Sequence, residues 1–154
     1  MKKLYASAAL YTVLGLAAGL YYRELTRSHA FTGDSQLGLA HTHFLTLGTL
    51  VLLLVLALEQ VFRLSGSRAF GWFLGLWNAG VLITGGMMLV RGTFTVLGEP
   101  LTSKAFAGIA GLGHMLLTAG FVLLFVALWR RLPDRSLQPA DRGAAMAASV
   151  TGRR

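Results

Sequence analysis

The chain has 154 residues, 55% hydrophobic and only 13% charged, about half the charged fraction of an ordinary soluble domain. It holds no cysteine, which excludes disulfides, thiolate metal sites, iron–sulfur clusters and covalently attached c-type haem. The net charge of +8 does not point to nucleic acid, because the basic residues gather at the ends of apolar blocks and in the C-terminal stretch. There they set membrane topology and meet anionic lipid.

Four apolar blocks follow in chain order, each long enough to cross a hydrocarbon core of about 30 Å at 1.5 Å per residue. The first runs from Leu4 to Tyr22, preceded by Lys2 and Lys3 and closed by Arg23 and Glu24. Its two lysines and apolar run share features with a signal peptide, but the run reaches Tyr22 without a clear small-x-small cleavage site, so it is read as a span. The second runs from Leu37 to Phe62, the third from Phe70 to Val90 and the fourth from Ala105 to Trp129. Turn signals lie between them at Gly33–Asp34, Ser65–Gly66–Ser67 and Gly98–Glu99–Pro100. The fold class is therefore all-α, a four-transmembrane-helix bundle over residues 1–131. Residues 132–154, with Pro133, Pro139 and several arginines, read as a flexible basic cytoplasmic tail, with a short interfacial helix at Ala144–Val150 as the alternative.

Lys and Arg counts orient the bundle. With the N-terminus inside, the inner side holds Lys2, Lys3, Arg63, Arg68, Arg130, Arg131, Arg135, Arg142, Arg153 and Arg154, and the outer side only Arg23, Arg27, Arg91 and Lys104. Both termini are expected in the cytoplasm. Trp72 and Trp129 then fall at the inner boundary, and Tyr21 and Tyr22 at the outer one.

Polar groups inside a membrane are costly and mark functional candidates. His41 and His43 lie roughly 6 and 9 Å into the second span, and His114 roughly 13 Å into the fourth, all in the outer half. His41 and His43 stand about 200° apart on a helix, so both cannot face one central site. His41 shares its face with Gly38 and Gly48, and His114 is preceded by Gly108 and Gly111, so these two are expected as the inward pair. Neutral imidazoles on facing helices suit axial ligation of haem iron, and without cysteine the haem is b-type. Arg23 and Arg91 at the rim suit the propionates, and Phe121 and Phe125 a porphyrin wall. The three histidines with Met87 and Met88 make copper the alternative. A cofactor-free accessory subunit, its histidines bridging helices, is the third reading. Asn78 reads as an interhelical hydrogen-bonding residue. No Asp or Glu lies mid-span, no span is broken by proline, and no nucleophile–base pair or phosphate loop occurs, so proton-coupled transport and hydrolysis are not expected.

The stretches Tyr22-Arg23-Glu24, Leu39-Ala40-His41-Thr42-His43-Phe44-Leu45-Thr46-Leu47-Gly48, Gly85-Gly86-Met87-Met88-Leu89-Val90-Arg91-Gly92 and Gly108-Ile109-Ala110-Gly111-Leu112-Gly113-His114 resemble a family of small bacterial four-helix membrane proteins of unknown function. The resemblance covers residues 1–131 and implies the four-helix fold in a bacterial inner membrane. A shorter one, His41-Thr42 with Gly48, is similar to the low-spin haem-ligand segment of haem–copper oxidase and nitric oxide reductase catalytic subunits. It implies His41 rather than His43 as the ligand. Those subunits have many more spans and a second metal centre, for which this chain has too few histidines, so their reaction is not expected. The expectation is a membrane b-type haem protein for electron transfer, haem handling or gas sensing, with a redox partner or a second copy as possible associates.

Overall fold

The structure, a computed structural model, describes residues 1–132. The basic tail and the alternative helix at Ala144–Val150 lie outside the described residues. Four helices are long and apolar enough to cross a membrane: α1 (Lys2–Ser28), α2 (Leu37–Phe62), α3 (Arg68–Val96) and α4 (Lys104–Trp129). Helices are the expected solution in lipid, since every backbone polar group must then find its partner within the segment. The second and fourth spans end within a residue of the sequence expectation. The first and third run one to two turns further, into polar residues. Apolarity stops at the interface but helical bonding does not: His29 N–H still donates to the Leu25 carbonyl at 3.2 Å.

The four helices are not packed equally. α1, α2 and α3 form a three-helix cluster around Tyr11, Phe44, Leu52, Val55, Phe73, Trp77 and Val81, all buried. α4 packs chiefly along α3, through Gly113, Leu117, Gly120, Leu124 and Ala127, a stripe that repeats every three or four residues. Its other faces are open, with Met115, Val122 and Phe125 exposed.

The cluster is knotted where α2 changes pitch. Phe44–Leu50 is π-helical, with bonds reaching five residues back, as Val51 N–H to the Thr46 carbonyl shows. Such a segment leaves carbonyl capacity unused by the helix, and the Trp77 indole N–H donates to the Leu47 carbonyl at 3.0 Å. Gly48 lies in this segment, and a Cβ there would run into the Tyr11 ring. From Tyr11 the hydroxyl crosses to the Asn78 carbonyl at 3.0 Å. Asn78 does bridge helices, but through its backbone; its side-chain amide bonds within α3, to the Leu74 carbonyl at 2.7 Å.

Between α2 and α3 the chain turns through Arg63, in the left-handed region at φ 51°, and the short 3₁₀ turn Leu64–Gly66. The buried Glu59 carboxylate holds this turn by accepting from Ser65 N at 2.8 Å and from the Ser65 hydroxyl. Ser67 then caps α3 by accepting from Phe70 N–H at 3.2 Å. Both ends of the described chain meet here: Gln60 Nε2 contacts Met1 Sδ, and Arg131 lies against Gly66. We call this the basic half of the molecule and the opposite one the histidine half.

Candidate functional site: a histidine cleft between α2 and α4

Both α2 and α4 pack on α3 in the histidine half, and the site lies where their side chains meet above it. On α3, Val81 and Gly85 face α2, because Phe44 presses on Gly85, while Gly80 and Thr84 face α4 through Leu117 and Gly113. Thr84 is 1% exposed and forms the floor of the cleft between them. Its hydroxyl lies 2.7 Å from His43 Nε2 and 2.8 Å from the Gly80 carbonyl. If the hydroxyl proton goes to Gly80, His43 Nε2 carries the proton donated to Thr84.

The His114 ring stands across from His43, the ring centres 6.4 Å apart and the planes inclined by 58°. His114 Nδ1 is 2.9 Å from the Ala110 carbonyl, one turn back. A carbonyl accepts only, so Nδ1 carries the proton and Nε2 keeps its lone pair for a ligand. His114 itself is exposed.

The pair formed therefore differs from the one expected. His41 is turned toward α1, its Cβ and ring against Gly19, and its Nδ1 is buried without a hydrogen-bond partner. The expectation rested on glycines around His41 and His114 as notches for a ring. Of the glycines on the His41 face, Gly38 lies against Tyr22 and Gly48 seats Tyr11 instead, and Gly108 and Gly111 have nothing within 4 Å of a notional Cβ. The glycines that bring α4 to α3 are Gly113 and Gly120.

The rim arginines also separate. Arg23 is 72% exposed on α1, in a loose 3.9 Å contact with Glu24. Arg91 is half-buried and lies seven residues beyond Thr84, two turns or roughly 10 Å along the same face of α3. Met88 falls between them on that face, one turn from Thr84. Phe121 is not a wall of the cleft, since it stands edge-on to Trp77 with ring centres 4.6 Å apart. Phe125 is 65% exposed.

Among the described residues, no three His, Asp or Glu side chains gather as a metal-binding group. What the site offers is two imidazoles, one of them exposed, and one buried hydroxyl. Thr84 was missed from the sequence because a threonine inside a span normally bonds its own helix, as this one also does.

Residues 1–131 match the family described as a protein of unknown function, DUF2871. The chain belongs to this family. The match covers all four spans and every cleft residue, and it brings no activity with it. No curated protein and no solved structure matches the chain, so the likeness of the His41-Thr42 stretch to oxidase haem-ligand segments gains no support.

Proposed function

We propose that this DUF2871 chain is a b-type haem protein of the bacterial inner membrane, serving electron transfer, haem handling or gas sensing, with both termini cytoplasmic. The iron would be held between His43 and His114, not between His41 and His114. The observation that carries this reading is the 6.4 Å between the two ring centres. Two imidazoles this close on separate helices would hold the iron of a haem, and the haem would supply the redox or gas-binding chemistry.

Three features support it. The His114 tautomer presents Nε2. Arg91 lies two turns outward on the cleft face, placed for a propionate, whereas Arg23 on α1 is not. The ligand count also favours haem over a bare ion. Porphyrin supplies four nitrogens and needs two more ligands, while copper or zinc would draw three or four from the protein. Copper has one point in its favour, Met88 on the same face as a possible third ligand. His43 Nε2 is engaged by Thr84, so the two residues would share the task of holding and orienting this ligand.

The test is an absorption spectrum with metal analysis on protein purified from haem-replete cells and again after addition of haemin. A Soret band with one iron per chain is expected. Colourless protein that takes up no haemin overturns the reading, and colourless protein with bound copper selects the alternative.

A further inference from the structure

We propose that the basic half carries a specific site for one anionic phospholipid, in the notch between α1 and α3. This inference is independent of the haem reading and rests on different residues.

α1 and α3 run parallel and are tied by Tyr11 to Asn78 near their middle and by Tyr21 to Thr93 in the histidine half. From the Tyr11 bridge toward the basic end they leave a notch of about 530 Å³, lined by Lys3, Ala6 and Ser7 of α1 and Gly71, Leu74, Gly75 and Asn78 of α3. The notch exists because the facing residues are small. A Cβ at Gly71 or Gly75 would meet nothing within 4 Å.

The lining sets a cation and a hydroxyl on α1 opposite an apolar strip on α3. Lys3 contributes the cation of this lining, and among the described residues no carboxylate pairs with it, the one salt bridge there being Arg23–Glu24. Lys2 is its neighbour, and the N-terminus of α3, with Arg68, adds positive potential at the same end. Ser7, one turn along α1, adds a hydroxyl donor, and opposite it Leu74 and the bare glycine backbone offer an apolar bed for the start of an acyl chain, closed at the far end by Asn78. Glu59, the acidic group at this end among the described residues, is buried and held by Ser65. A basic pocket between spans on the cytoplasmic side is the known physical recipe for an anionic headgroup. A zwitterionic lipid would bring its own cation to Lys3, and free phosphate would leave the apolar bed empty.

The experiment titrates delipidated full-length protein in detergent with phosphatidylglycerol and with phosphatidylcholine of matched chains, read by native mass spectrometry. One phosphatidylglycerol per chain is expected, at least tenfold tighter than phosphatidylcholine. Gly75→Leu, at a position where an added Cβ meets nothing within 4 Å, fills the notch and abolishes the preference. Gly86→Leu, at an equally open position in the histidine half, retains it. Lys3→Gln, at an exposed position, weakens it several-fold and keeps the test decisive should Gly75→Leu fail to fold. Equal binding of the two lipids, a preference that survives both Gly75→Leu and Lys3→Gln, or displacement by millimolar inorganic phosphate would each overturn the proposal.

Discussion

α2 and α4 bring histidine to the same level of the membrane, yet they are held very differently. α2 is packed on two sides, with His41 against α1 and His43 on Thr84 of α3. α4 is packed on one side only, and His114 is exposed, fixed by its own helix through Ala110. One wall of the cleft is thus set by the core of a three-helix cluster. The other is a single helix hung on α3 by glycine contacts.

The largest expected effect separates the histidines. His43→Ala and His114→Ala should each reduce haem retained per chain at least tenfold, while His41→Ala leaves it nearly unchanged. Loss of the Soret band in His41→Ala but not in His43→Ala would restore the pair expected from sequence and break the comparison.

Next comes the knot in α2. Gly48→Leu places a side chain where the Tyr11 ring already sits, beside the π-helical segment. Overpacking of this kind costs about 1–3 kcal/mol, occasionally more. A thermal unfolding midpoint equal to wild type would show that the α1–α2 seam is looser than the contacts imply.

Thr84 tests the link between the walls. Thr84→Val keeps the shape but leaves His43 without its hydroxyl partner, which should cost about 0.5–1.5 kcal/mol, typical of polar bonds between membrane helices. Thr84→Ser should recover most of this. Equal stability of the two variants would mean that His43 does not depend on Thr84.

The sequence made the spans legible because apolar blocks of this length admit one interpretation in a bilayer. The level of the histidines was legible too, from helix rise alone. Their pairing was not. Choosing between His41 and His43 needs the rotation of α2, which depends on which glycines are covered by which neighbours. Gly48 seats an aromatic ring while Gly111, outwardly similar, faces no partner. A π-helical segment begins at Phe44, directly after the histidines, so an ideal helical wheel carried across it misplaces Gly48 relative to His41.

The smallest effect is the most pointed test of the open wall. Gly111→Leu adds a side chain to a face of α4 with nothing within 4 Å of the new Cβ, so stability in detergent should stay within about 0.5 kcal/mol of wild type, as for other uncrowded surface changes. A second copy packed through Gly108 and Gly111 would make the same substitution a steric block at a close helix crossing. A loss above about 1 kcal/mol, accompanied by a shift from dimer to monomer in sedimentation, would mean that α4 is two-sided in the membrane. The contrast with α2 would then disappear, and His114 would lie in an interface between chains, not at the edge of one.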